Sequence, residues 1–158
     1  MKDHRSPAAI RALENANARW PGRKRASDGI LGDARHQEGT SDHNTGNAVD
    51  VTHDPNGCHG DIIAGHAIAD GRARYVIWDR RINSLDGRGW RPYTGSHPHT
   101  SHVHISLRAE QRDNADPWGW IDPGLDEAAR ARGADEPPPS RDTLPSPAPY
   151  ADDDDGEA

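Results

Sequence analysis

The chain has no phenylalanine, one cysteine and only two lysines, Lys2 and Lys24, among 158 residues. Without phenylalanine, and with hydrophobic residues at 32%, its core must be small and built from Ile, Val, Leu, Ala and Trp. A single thiol, Cys58, excludes an intrachain disulfide framework. No stretch approaches the roughly 18 consecutive apolar residues of a membrane span. The N-terminus, MKDHRSPAAI, has a charged start but no apolar h-region, so no secretory signal is expected. Membrane insertion is therefore not expected. The protein is expected to stay cytoplasmic until it is released to its place of action or exported by another route.

A basic footprint is also missing. Residues 126–158 hold ten Asp or Glu against three Arg and so account for the whole net charge of -7, while residues 1–125 balance to zero. That balance argues against a nucleic-acid partner for the folded part. What is abundant is glycine (16), proline (13) and histidine (10). The first two predict a loop-rich fold with short elements.

RSPAAIRALENANARW (5–20) reads as a helix, with Ser6 as N-cap and Pro7 at the first helical position. Residues 23–47 are polar and glycine-punctuated, and predict a long loop. AVDVT (48–52) alternates as a short strand does, and GDIIAGHAIADGRA (60–73) reads as a second helix. RYVIWD (74–79) is the strongest strand; RINS is expected to continue it to a turn at LDGRG (85–89), from which WRPYT returns as a hairpin. HVHISL (102–107) alternates again, placing Val103, Ile105 and Leu107 on one face and His102, His104 and Ser106 on the other. NADPWGWIDP is expected to pack its tryptophans onto the domain. From residue 126 the chain turns acidic and proline-rich with little to bury, which predicts a disordered tail over 126–158. The expected fold is thus α+β: one domain over 1–125, a small antiparallel sheet with flanking helices, expected as a monomer.

Two segments carry the chemistry. SDHNTGNAVD (41–50) places His43 in a Gly/Asn loop and Asp50 on the strand it feeds, and HPHTSHVHIS (97–106) offers His102 and His104 on one polar strand face. Three side chains of these types can hold a zinc ion and leave a fourth position open. The same residues also suit an ordinary polar turn and a histidine-rich strand. Asp42, Asn44 and Asn47 are candidates to orient the imidazoles. His53, Cys58 and His59 in HDPNGCH suggest a second metal site, although a surface loop explains them more simply.

Ser41, His43, Gly46, Ala48 and Asp50 together match S-x-H-x-x-G-x-A-x-D, and a later strand carries H-x-H. Over roughly residues 25–108 the chain resembles the zinc peptidases that include D-alanyl-D-alanine carboxypeptidases, VanX-type dipeptidases and phage L-alanyl-D-glutamate endolysins, whose fold hedgehog domains share. The resemblance implies zinc on His43, Asp50 and His104, peptidoglycan stem peptides as substrate, and hydrolysis of an amide bond. It also implies an acidic base three positions before the last ligand, where this chain has Ser101. A histidine base is the expectation instead, from His102 or His99, with Asp33 or Asp54 as carboxylate alternatives and an inactive protein as the third. His102 matches the family's penultimate histidine, which stands beside the metal. Arg35 and Ser41 are the substrate-binding candidates, with His36 behind them. Trp90 and Tyr93 could contact a glycan or peptide. Two other readings compete: a zinc-stabilised, non-catalytic cell-wall-binding module, and a two-histidine phosphoesterase built on HISL (104–107) and HNTG (43–46).

Overall fold

The structure is a computed structural model that describes residues 4–31 and 41–135. It is an α+β fold whose five strands form one antiparallel sheet. The elements in chain order are α1 (Pro7–Arg19), β1 (Ala48–Thr52), α2 (Gly60–Asp70), β2 (Ala73–Trp78), β3 (Arg81–Asn83), β4 (Trp90–Pro92), β5 (His102–Leu107) and α3 (Asp126–Ala134). The sheet order is β1-β5-β2-β3-β4, so the last long strand inserts between the first two.

Helix α1 begins as its sequence predicts. The Ser6 hydroxyl accepts from the Ala9 amide at 3.2 Å, and Pro7 follows at the first turn. Its alanine face (Ala8, Ala9, Ala12, Ala16) is fully buried. Helix α2 is apolar nearly all round because it is covered on both sides, by the sheet and by α3. Gly65 permits that second contact: a Cβ there would stand 1.8 Å from the Ala129 carbonyl oxygen.

The core lies on one face of the sheet. Val49, Val51, Val76, Val103 and Ile105 are all fully buried there, and Ile105 is cross-strand partner to both Val49 and Val76. Trp118 and Trp120 close the core as the sequence suggests. They stack at 5.0 Å and donate their indole N–H groups to the carbonyls of Ala8 and Ala12 in α1. The Arg72 guanidinium lies over Trp118 at 3.9 Å and is paired with Asp70.

Two expectations need correction. Arg81–Asn83 does not continue β2: Asp79 and Arg80 both adopt positive φ (53° and 67°), the geometry of a tight hairpin turn, so β3 folds back onto β2. Residues 126–134 are not part of a disordered tail but form α3. Its Ala129, Ala131 and Gly133 are buried against α2, and the Arg19–Asp126 ion pair at 2.6 Å ties its start to α1. Small residues that look too poor to bury anything suffice where the facing helix offers a glycine. Residues 136–158 lie outside the described residues.

Candidate metal centre

The opposite face of the sheet carries the site. β1 and β5 pair in a register that sets Asp50 directly across from His104, and β2 adds Ile77 on the other side of His104. One row across three strands therefore holds a carboxylate, an imidazole and an apolar side chain. His43 comes from outside the sheet, on a short 3-10 helix over Asp42–Thr45. The Ser41 hydroxyl caps this turn by accepting from the His43 amide at 3.1 Å. Gly46 ends it at φ +77°, and a Cβ there would stand 1.8 Å from the His4 carbonyl oxygen. The chain can thus turn onto β1 only with glycine at this position.

Three donor atoms converge. His43 Nε2 lies 3.2 Å from Asp50 Oδ1, and His104 Nδ1 lies 3.1 Å from the same oxygen. Both histidines are buried and Asp50 is half-buried, with the three donors within 4.8 Å of one another. The far nitrogens have partners of their own. His43 Nδ1 is 2.6 Å from the Ile30 carbonyl, which can only accept, so Nδ1 carries the hydrogen and the neutral ring turns its Nε2 lone pair to Asp50. His104 Nε2 lies 2.8 Å from the buried Ser106 hydroxyl, which can accept from it and so allows the tautomer whose Nδ1 lone pair is turned to the same place.

In that tautomer of His104, two nitrogen lone pairs meet one carboxylate oxygen and a cation, a proton or a metal ion, fits between them. The electrostatics agree. Burial works to lower the His43 pKa, but Asp50 outweighs it and the net shift is upward. Burial likewise opposes ionisation of Asp50, yet the two imidazoles hold its pKa well below the usual carboxylate range. The donor set also fits in size, since a metal with bonds of roughly 2.0–2.2 Å accepts donors spaced as these are. His43, Asp50 and His104 are therefore a buried group that could hold a metal ion.

Around this group opens a cavity of about 500 Å³. His97, His99 and His102 line it together with Tyr75, Tyr93, Ile77 and Ser41. His102 Nε2 is 3.8 Å from Asp50 Oδ2, the carboxylate oxygen that the ligand pair leaves available. Its Nδ1 is 3.1 Å from the Ser101 hydroxyl, so the serine at the expected base position holds this imidazole. His99 adopts φ +58°. That strained conformation is pinned by the Asp79 and Arg80 amides, which donate to the His99 and Pro98 carbonyls at 2.8 Å each. Its ring stands edge-on to His102 (4.9 Å) and His104 (5.7 Å), and burial with the neighbouring imidazoles pushes its pKa down to about 4. Tyr75 stacks on His104 and Tyr93 meets His99.

The structure thus brings together His43, Asp50, His104, His102, His99 and Ser41. Arg35, His36 and Asp33 lie outside the described residues. Asp54 is placed elsewhere: its carboxylate accepts from the Lys24 and Asn56 amides and does not line the cavity. Asn47 orients no ligand, as its side chain accepts from Arg112, and Asp42 pairs with Arg74. His53 and His59 accept from the Gly60 and Asp61 amides at the start of α2, and Cys58 is buried in the core with its pKa pushed up to about 12. They form no metal-holding group among the described residues. Of the two hairpin aromatics, Tyr93 lines the cavity, whereas Trp90 is buried and donates to the Arg132 carbonyl. Sequence reasoning missed the Ile30 carbonyl, which carries no side-chain signal. It also missed Ser106 as the partner of His104, although strand alternation had put the two on one face.

Fold and site together define an α+β chain with a candidate His–Asp–His metal centre on the open face of an antiparallel sheet. Residues 2–104 match the family described as VldE, C-terminal domain, and the chain belongs to that family. The matched segment ends on His104 and so spans all three candidate ligands. No curated protein and no solved structure matches the chain.

Proposed function

We propose that the chain is a zinc-dependent peptidoglycan peptidase that hydrolyses an amide bond in cell-wall stem peptides, as an endolysin or a wall-remodelling enzyme does. The observation that carries this reading is the convergence of a His43 and a His104 ring nitrogen on Asp50 Oδ1, beside a cavity of dipeptide size. Two neutral imidazoles and one carboxylate are a donor set suited to zinc, and three protein ligands leave a position open. When bound there, zinc supplies polarisation of an amide carbonyl and a water of lowered pKa.

The chain's own residues do the rest. The Ile30 carbonyl holds His43 in the tautomer that ligation needs, and the Ser106 hydroxyl can accept from His104 Nε2 in the matching one. His99 donates from Nδ1 to the His97 carbonyl at 2.7 Å, which leaves its Nε2 to take a proton; with its pKa pushed down to about 4 it is a weak base that gives the proton up readily to the leaving amine. His102, steadied by Ser101, faces Asp50 and stabilises charge that develops in the cavity. Tyr75, Tyr93 and Ile77 form an apolar wall for the substrate side chain. Ser41 completes the rim while capping the turn under His43, and Arg35 remains the candidate for a substrate carboxylate.

A second reading is a zinc-stabilised module that binds cell wall without cleaving it. Ser101 favours it, because its hydroxyl is committed to His102 and accepts no proton at neutral pH. The phosphoesterase reading loses ground, since His43 sits on a 3-10 turn rather than on a strand matching that of His104. Digestion of defined muropeptides by zinc-loaded protein, followed by mass spectrometry, separates the first two readings. Products heavier by one water support the peptidase; bound but intact muropeptides support the module.

A further inference from the structure

On the core side of the sheet, away from the metal centre, a second cavity of about 480 Å³ opens between the C-terminal end of α2 and the loop joining β3 to β4. Asn83 lies at its base. Its cross-strand partners Val76 and Trp90 are both core residues, which puts its side chain on that face, and it is only 7% exposed. Asn83 Oδ1 accepts from the Leu85 amide at 2.9 Å, whereas Nδ2 has no hydrogen-bond partner among the described residues. An aspartate would hold the Leu85 turn equally well, so the turn accounts for only half of this amide. A nearly buried amide NH2 without a partner is costly, and this one opens onto the cavity. Leu85 is held at φ +56°, a strained conformation for a bulky side chain, and with Ile68 and Ala73 it supplies an apolar floor. Gly71, Gly87 and Gly89 open onto free space, since a Cβ on any of them would meet nothing within 4 Å. Gly71 also ends α2, so the last carbonyls of that helix, which lack intrahelical partners, stand at the cavity's edge. Arg108 is exposed at the mouth with no side-chain partner among the described residues, while Arg72 and Arg88 are paired with Asp70 and Asp86.

We infer that this cavity binds the acetamido group of an N-acetylated amino sugar, a secondary amide that carries a methyl. The ligand's carbonyl oxygen accepts from Asn83 Nδ2, its methyl rests on Ile68, Ala73 and Leu85, and its amide N–H turns to the carbonyl end of α2. Arg108 then donates to sugar hydroxyls at the mouth. A peptide would offer the same amide, but Asn83 and Trp90 pair with each other here and leave no strand edge for a peptide backbone to join. The volume suits a single sugar ring. The site needs no metal, so its test is independent of the metal centre.

The test titrates the full chain, metal-free and zinc-treated, with N-acetylglucosamine, with glucose and with the N-methylamide of N-acetylalanine, and reads binding by saturation-transfer NMR. We expect N-acetylglucosamine to bind about tenfold or more tightly than glucose, the worth of one hydrogen bond and a buried methyl. Its acetyl methyl should receive the most saturation, equally with and without zinc. Asn83→Asp keeps an oxygen for the Leu85 amide and removes the donor, so it should erase the preference over glucose. Ile68→Trp, at a half-buried position, fills the cavity and should abolish binding of the sugar; it decides the matter if Asn83→Asp does not fold. Equal binding of the two sugars, tighter binding of the peptide amide, binding that requires zinc, binding retained in Ile68→Trp, or no response at all each overturns the inference.

Discussion

Asp50 and His104 face each other across β1 and β5 as direct cross-strand partners, with Nδ1 of the imidazole 3.1 Å from Oδ1 of the carboxylate. Sheet register alone therefore builds two thirds of the centre, and only His43 has to be delivered by a turn. Removing any one donor leaves two. We expect Asp50→Ala, His43→Ala and His104→Ala each to lower zinc affinity by at least about a hundredfold, measured by competition with a chromogenic chelator. Wild-type protein should gain thermal stability on zinc addition, by about 4 kcal/mol at a thousandfold excess over Kd. An Asp50→Ala variant that still takes up one tightly held zinc would remove the basis for the site.

Under the proposed hydrolysis, the histidine pair at the rim separates ligation from proton transfer. His99→Ala and His102→Ala leave all three ligands in place, so zinc stoichiometry should stay at one. Hydrolytic activity should fall by about 10²–10⁴-fold, the usual contribution of a positioned acid–base group. Ser101→Ala should cost less, since it removes only the hydroxyl that steadies His102. Loss of zinc from the His99 or His102 variants would instead make those residues ligands.

Gly46 is needed twice, once for φ +77° and once because the His4 backbone occupies the space of a Cβ. Gly46→Ala should destabilise the protein by at least about 3 kcal/mol, the range of backbone clashes and strained φ. Because the residue ends the turn that carries His43, zinc affinity should fall with it. Urea unfolding with and without zinc measures both effects. An unchanged midpoint would mean that the N-terminal segment need not lie against this turn.

The pH dependence of the metal-free protein is set partly by His66, which is buried on α2 with Nε2 3.8 Å from Asp126. Burial lowers its pKa more than Asp126 raises it, so the net shift is below the ordinary value. The unfolded chain therefore takes up this proton first as pH falls. The contribution is fully present above about pH 6.5 and is lost as pH drops towards the folded-state value. We expect the melting temperature to fall on acidification below that point, and to fall less steeply in His66→Leu. Parallel slopes would show that His66 takes up its proton equally in the folded and unfolded states, against this prediction.

Much of this was legible from residue order. The start of α1 at its Ser6 cap, β1 and β5 were readable to the residue because their patterns are local: a capping side chain, a proline, an alternation of apolar and polar. The pairing of SDHNTGNAVD with HVHIS was readable because both segments carry ligand-type residues at strand and turn spacing. The turn at Asp79–Arg80 was not, as neither residue is a glycine and nothing local announces positive φ. α3 was hidden for a different reason: alanine and glycine bury well only against a partner, and Gly65 on α2 is sixty-four residues from Ala129 in sequence. The Ile30 carbonyl that orients His43 is a backbone group, and composition says nothing about where a carbonyl points.

The contribution of α3 can be measured directly. A chain ending at Leu125 loses the buried Ala129, Ala131 and Gly133 and the Arg19–Asp126 pair, and so exposes the outer side of α2. Relative to a chain ending at Asp135, its melting temperature should drop by roughly 10 °C or more, or the protein should become insoluble. Equal melting temperatures would return residues 126–134 to the status of a dispensable tail.

The central claim is that a metal held by His43, Asp50 and His104 serves amide hydrolysis. The most direct measurement is mass spectrometry of defined muropeptides incubated with metal-free protein, zinc-loaded protein and the Asp50→Ala variant. We expect fragments carrying one added water from the zinc-loaded wild type alone. Intact muropeptides after incubation with protein shown to hold one zinc would contradict it.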